Sequence, residues 1–247
     1  MTDQVTFIGR SLRHSTRSID ALLTAIMLPV AIMLMFVYVF GGAIDTGGRY
    51  VDYVVPGIIV LCAGFGSAST AVAVALDMTT GVIDRFRTLP ISSAAVLTGH
   101  VTASVIRNVV STMLVIAIAL LCGFRPEAGP LEWLAVAALL LGVMTAISWL
   151  AACFGLLAKS VEAASACTFV AAFAPYVSSA FVPPESMPDG LSWVAAHQPV
   201  TPIADTIREL LLGMPVGNEA VLAVVWCVAG IAVGRLGAAY LFRTLTR

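Results

Sequence analysis

The sequence predicts an all-α polytopic membrane protein, and three observations carry that prediction. Of the 247 residues, 60% belong to the set AVILMFWYC and only 11% are charged, whereas an ordinary soluble domain is about 45–50% apolar with Gly counted and about 25% charged. The apolar residues gather into six runs, each near the ~20 helical residues that cross a bilayer. No run shows the sustained apolar/polar alternation of a membrane strand, which excludes a closed β-barrel. The mean hydropathy of +0.99 agrees. With 13 basic and 14 acidic residues, the chain cannot coat a soluble enzyme with charge, nor does it read as disordered. Its net charge of −1 gives no pull toward nucleic acid.

The first element, residues 1–20, reads as an interfacial helix. On a helical wheel Val5, Ile8, Leu12 and Ile19 share one arc, and Arg10, Arg13 and Arg17 share another. Such a helix lies in the membrane plane, and each Arg near an anionic leaflet adds about 1 kcal/mol. A solvated N-terminal arm is the competing reading. The remaining residues, 21–247, read as a single six-helix transmembrane domain. The expected spans are Ala21–Phe40, Val54–Leu76, Val101–Leu121, Trp133–Leu157, Ala163–Val182 and Val221–Phe242. The first is too long, and has no small-residue cleavage site close behind it, for a removable signal peptide.

Six spans put both termini on one side, and basic residues choose the side. Arg10, Arg13, Arg17, Arg85, Arg87, Arg107, Lys159, Arg243 and Arg247 fall on the terminal side, against Arg49, Arg125 and Arg208 on the other. Both termini are therefore expected in the cytoplasm. Arg107, about two turns into span 3, is expected to snorkel there.

Two linking segments carry the functional reading. Residues 77–100, DMTTGVIDRFRTLPISSAAVLTGH, are too long for a tight turn and too polar for lipid. Val82 to Leu89 can form a short helix, with Pro90 expected to stop it. Phe86 and Leu89 make an apolar knob on it, collared by Asp84, Arg85 and Arg87. That pattern suits docking into a groove of a partner, or an ordinary amphipathic loop helix. Residues 183–219 form the external link and contain two amphipathic pieces divided at Pro199. In the first, Leu191, Val194 and Ala195 share a face. The second begins with Thr201 as N-cap and Pro202 at the first helical position. Ile203, Ile207 and Leu210 form its apolar face. Both pieces suit a segment dipping into the outer leaflet, or a folded external cap.

Several chemistries are missing. No GxxxxGK[ST] phosphate loop exists, so the chain is not an ATPase by that route. HExxH is absent, and His14, His100 and His197 all lie outside the spans, which leaves no His-centred metal or protease site. The five cysteines sit in or beside apolar runs without a CxxC pair, and read as small hydrophobes. No acidic or basic series runs through the spans, which argues against an ion-coupled secondary transporter. An intramembrane enzyme would need a buried catalytic pair. The polar content of the spans is mild: Ser67 and Thr70 in span 2, and Tyr176, Ser178 and Ser179 after a kink at Pro175 in span 5. These residues suit either a route for an amphipathic cargo or ordinary helix packing. Ser67, Ala71 and Ala75 form a small-residue ridge for close helix contact.

The segment GVIDRFRTLPIS, from Gly81 to Ser92, resembles the link after span 2 in ABC-2-type exporter permeases, most of all the daunorubicin/doxorubicin-resistance type. The stretch from Phe181 to Leu210, with FVP at Phe181–Pro183, ESMP ending at Pro188, P-x-T from Pro199 and a terminal Arg208, is similar to that family's region after span 5. Gln198 stands where the family usually has Asn. The resemblance implies the transmembrane subunit of an ATP-driven exporter in a bacterial cytoplasmic membrane. It carries no cofactor, ATP and Mg being bound by a separate ATPase subunit, and it pairs with a second permease subunit, identical or homologous. Arg10, Arg13 and Arg17 would lie on the elbow helix, and Asp84–Pro90 on the helix that couples to the ATPase. Residues 183–212 would form external re-entrant helices, and spans 2 and 5 would line the route. The implied cargo is a drug, a lipid or another amphipathic molecule, with polysaccharide precursors a further family example.

Overall fold

A computed structural model describes residues 19–41, 48–80 and 93–245. The elements are helical: α1 (Ile19–Leu34) running on as a π-helical stretch (Met35–Phe40), α2 (Tyr50–Thr79), α3 (Ser93–Leu121), α4 (Pro130–Leu157), α5 (Val161–Ala172), two 3₁₀ turns (Ala174–Val177 and Pro184–Ser186), α6 (Asp189–His197), α7 (Val200–Leu211) and α8 (Glu219–Leu245). No strand occurs among the described residues.

Four of these helices are long and apolar enough to cross a membrane: Tyr50–Thr79, Val96–Leu121, Pro130–Leu157 and Glu219–Thr244. They contain expected spans 2, 3, 4 and 6. α1 with its π-helical continuation covers expected span 1, with the apolar stretch Ile26–Phe40. Local signals set several boundaries. α4 begins with Pro130 at its first position, where the missing N–H costs nothing, and with Glu132 in its first turn. At the start of α5 the Ser160 hydroxyl accepts the Ala163 N–H at 3.2 Å.

The fifth expected span departs from its sequence reading. Ala163–Val182 is not one 20-residue helix: α5 stops at Ala172, and Pro175 lies in a 3₁₀ turn after which Ser178 is extended. Proline has no N–H for the helical ladder, and its ring collides with the carbonyl four residues before it. Pro175 therefore ends the helix where the sequence reading expected only a kink.

α2 is central and touches α1, α3, α4, α5 and α7, while α4 and α8 form the most extensive helix pair. Between lipid-embedded helices the hydrophobic effect contributes little, because lipid tails are as apolar as the core, so close approach of small residues matters more. The ridge expected on span 2 is used in this way. Ser67, Ala71 and Ala75 are fully buried, and a methyl group on Gly155 of α4 would come within 2.9 Å of the Val74 side chain. On α8, a methyl on Gly234 would sit 2.8 Å from both the Leu150 amide and the Trp149 side chain.

The main core lies at the end of the bundle that carries α6 and α7. It gathers Met33, Val55, Ile58, Phe124, Met144, Ile207 and Leu211. A smaller cluster around Val74, Leu97, Leu156 and Phe242 holds the opposite end. The α3–α4 turn is stitched to its surroundings: Glu127 N–H donates to the Leu211 carbonyl at 2.9 Å, and the Arg49 guanidinium donates to the Gly123 carbonyl.

Candidate functional site

The first turns of α2 put Tyr50, Tyr53 and Gly57 on one face, at helical spacings of three and four. The irregular backbone that follows α5 lies along this face. A methyl on Gly57 would overlap the Ala180 carbonyl, so only glycine lets the two backbones approach this closely. Non-helical backbone at membrane depth survives only where other groups satisfy its polar atoms. Here side chains do so. Tyr53 Oη donates to the Ser179 carbonyl at 2.8 Å, and Tyr50 Oη donates to the Phe181 carbonyl at 3.0 Å. Ser178 Oγ donates to the Pro175 carbonyl at 2.6 Å and accepts the Ala180 N–H at 3.1 Å. The Ser179 N–H donates to Thr201 Oγ1 at 3.2 Å.

Arg208 of α7 ties the cluster together. Its Nη2 donates to the Ser179 carbonyl at 2.8 Å and its Nε to the Tyr53 carbonyl at 3.2 Å. Its Nη1 pairs with Asp205, one helical turn before it. The guanidinium lies 3.9 Å from the centre of the Tyr53 ring, a cation–π arrangement. Asp205 also accepts the Ser179 hydroxyl at 2.8 Å. The arginine side chain is only 11% exposed, so this pair is largely withdrawn from solvent. The effect is to fasten α7 and the segment after α5 onto the start of α2.

Aromatic rings continue the seam toward α1. Phe181, 2% exposed, stacks on Phe36 at 4.6 Å and on Tyr176 at 5.1 Å, and Tyr176 meets Phe173 at 5.7 Å. Tyr176 is half-buried, whereas Ser178 and Ser179 are buried. Of the prolines in the link expected to be external, Pro183 precedes the second 3₁₀ turn and Pro188 precedes α6, where its carbonyl accepts the Leu191 and Ser192 amides. Pro199 precedes α7 and separates it from α6. The N-cap expected at Thr201 is corrected by the structure. α7 begins at Val200, and the Thr201 hydroxyl donates to the Ala195 carbonyl, joining α7 to α6. The Gln198 side-chain amide donates to the Val177 carbonyl.

Deeper in the bundle, Ser67 and Thr70 are buried on α2. Asn108 Nδ2 donates to Ser67 Oγ at 3.0 Å, and Ser67 lies 3.3 Å from Ser148, which donates to Ser104 at 3.0 Å. Thr70 has no hydrogen-bond partner among the described residues. Arg107 does not snorkel as its position suggested. Its guanidinium turns to α2 and donates to the Gly66 carbonyl at 3.2 Å and to Ser69. At the opposite end, His100 and Asp77 meet at 2.9 Å and join α2 to α3 on either side of the segment between them.

The structure thus brings Ser178, Ser179, Phe181, Tyr176 and Arg208 into one assembly, and places Ser67 and Thr70 in a separate interior seam. Arg10, Arg13, Arg17, Asp84, Arg85, Phe86, Arg87, Leu89 and Pro90 lie outside the described residues. Tyr53 and Asp205 join the site although sequence reasoning did not select them. For Asp205 the signal was its i, i+3 spacing to Arg208 on the polar face of an amphipathic helix, whereas Tyr53 had none in the linear sequence.

Comparison with known proteins agrees with this architecture. The family described as ABC-2 type transporter matches residues 5–212. A daunorubicin resistance ABC transporter permease protein of Streptomyces coeruleorubidus is 30% identical over 219 residues, which cover 85% of this chain and 77% of the relative. A probable doxorubicin resistance ABC transporter permease protein of Mycobacterium tuberculosis is 28% identical over 230 residues, covering 91% and 82% respectively. With four membrane-length apolar helices, a family match across most of its length and relatives aligned along most of theirs, this chain belongs to the ABC-2 type transporter family and is the transmembrane permease subunit of an ABC exporter.

Proposed function

We propose that this permease moves a drug, lipid or other amphipathic molecule out across the bacterial cytoplasmic membrane, driven by a separate ATPase subunit. The observation that carries the reading is the likeness to daunorubicin and doxorubicin resistance permeases along 85–91% of the chain. The chain contains no phosphate-binding loop, so ATP and Mg belong to the partner. In this reading Asp84, Arg85, Phe86, Arg87, Leu89 and Pro90 form the contact with the ATPase, and the Asp77–His100 pair holds the roots of that segment together. Arg10, Arg13 and Arg17 anchor the elbow helix to the cytoplasmic leaflet, and both termini are cytoplasmic. Two permease subunits, identical or homologous, enclose the route between them.

The chain crosses the membrane six times in this proposal, the fifth crossing being made by α5 and the irregular segment after it. α6 and α7 then form the external re-entrant pair, fastened by Arg208 to span 2. Ser67, Thr70, Tyr176, Ser178 and Ser179 belong to or border the route. Switching of the ATPase between its states biases two arrangements of the spans. The test is efflux of daunorubicin from vesicles holding the permease and its ATPase partner. Export is expected with ATP and to survive a protonophore. Export that collapses with the protonophore while ATP is constant would instead establish an ion-coupled secondary transporter.

A further inference from the structure

Between α4, α7 and α8 lies a cleft of about 320 Å³, floored by Val60 of α2 and walled by Ile147, Leu150, Val200, Trp226 and Gly230. No polar atom faces into it. Its volume is at the lower edge of the roughly 300–1,000 Å³ found for ligand pockets, but such pockets also place a few polar groups to orient a drug-sized molecule. An amphipathic cargo would leave its own polar groups unpaired here, at a cost. Pure hydrocarbon has no such groups to satisfy.

The surface around the cleft identifies the source of that hydrocarbon. α8 turns its small residues inward: Gly230 faces Ala146, Gly234 faces Trp149 and Leu150, and Gly237 faces Cys153. Its outward face is bulky, with Val225, Val228, Val233, Leu236 and Tyr240 all exposed. Helix–helix contacts in membranes favour small residues that let backbones approach. A bulky apolar face on a membrane-spanning helix is a surface for lipid. Trp226 and Val233 belong both to this face and to the cleft, so the cleft opens directly onto the lipid surface. Trp226 to Val233 span about 10 Å along the helix axis, within the ~15 Å depth of one leaflet's hydrocarbon.

We propose that the cleft between α4, α7 and α8 is a binding site for one acyl chain of a membrane phospholipid, resident beside α7. The occupied cleft joins α7 to α4 and α8 through the lipid chain. The assignment needs only that the chain is embedded in a membrane, and does not depend on the cargo or the energy source proposed above.

The test uses the full chain in nanodiscs of phosphatidylethanolamine and phosphatidylglycerol, with a trace of phosphatidylethanolamine carrying a diazirine in mid-chain. After illumination, adducts are mapped by mass spectrometry of the digested protein. Adducts on residues 143–150 and 226–233 are expected to exceed those on the exposed stretch 236–243 about tenfold, the ratio that ~1.4 kcal/mol of preference produces. Ala229→Phe on the α8 wall is expected to bring them down to the level of that stretch. Val200→Phe does the same from the α7 wall, so a folding defect in one variant does not decide the matter. Adducts spread evenly along α8 in the wild-type protein would overturn the proposal. So would displacement by excess daunorubicin, which would make the occupant cargo, or Ala229-to-Ala229 proximity between copies in a cross-linking experiment, which would make it a second subunit.

Discussion

The guanidinium of Arg208 lies over the ring of Tyr53, 3.9 Å from its centre, while the same group donates to the Tyr53 backbone carbonyl. One side chain thus holds both the ring and the main chain of a residue in the first turn of α2. A point charge cannot do this, because it lacks the planar fork and the stacking face. Arg208→Ala strands Asp205 and removes the hydrogen bonds to two carbonyls, so the purified permease is expected to lose roughly 2–4 kcal/mol of stability. Arg208→Lys is expected to recover only part of that loss in a thermal-unfolding assay in mild detergent. Equal stability of the Lys and Arg proteins would show that charge alone matters.

Two neighbouring glycines of α2 are expected to behave oppositely. A methyl on Gly66 would overlap the side-chain oxygen of Asn108, whereas Gly64 has nothing within 4 Å of that position. Gly66→Ala therefore overpacks the α2–α3 contact and is expected to cost about 1–3 kcal/mol. Gly64→Ala is expected to be neutral or to stabilise by up to about 1 kcal/mol through helix propensity. The same unfolding assay compares the pair, and a reversed order would contradict the packing described at Asn108.

Tyr176 shares one face with Phe181 and retains partial exposure. If the remainder borders the route, Tyr176→Ala is expected to change the ratio of exported dyes more than the amount of assembled complex. The loss of an aromatic surface is expected to weaken bulky aromatic cargo by roughly 1–3 kcal/mol. Efflux of several dyes, normalised to protein level, is the measurement. A uniform decrease across all of them would confine Tyr176 to packing within its own subunit.

Phe86→Asp places a charge on the apolar knob proposed to seat in the ATPase. Transport is expected to be abolished and the ATPase to separate from the permease during purification. Normal export together with wild-type recovery of the ATPase would remove Phe86 from that contact.

Single cysteines placed at Asp189 and Asn218, in a cysteine-free protein, are expected to react with an impermeant maleimide added to intact cells. One placed at Asp84 is expected to react only after permeabilisation. The reverse pattern would invert the orientation inferred from the distribution of Arg and Lys.

Hydrophobicity alone made spans 2, 3, 4 and 6 legible, because a membrane-length apolar run has no alternative to the helix in lipid. The pieces on either side of Pro199 were legible through proline punctuation and amphipathic spacing. The fifth span misled because composition records that residues 163–182 are apolar and not that Pro175 leaves its carbonyl partners without a donor. Arg208 and Ser179 could be chosen from sequence, yet their joint role depends on Tyr53, some 126 residues before Ser179. Nothing in linear spacing announces that contact. Arg107 failed for a related reason. Snorkelling assumes an isolated helix, and here the neighbouring α2 offers the guanidinium a carbonyl and a hydroxyl.

The glycine seams that join α8 to α4, and α4 to α2, have a mechanical consequence. Backbones meshed this closely cannot slide past one another without steric collision, so α2, α4 and α8 act as one stiff plate. If Asp84–Pro90 seat in the ATPase as proposed, a displacement there would pass along α2 to Tyr53 as a rigid-body movement. Because Tyr53 and Arg208 are bonded to the Ser179 carbonyl, the non-helical segment after α5 would be carried along with α2 rather than left behind.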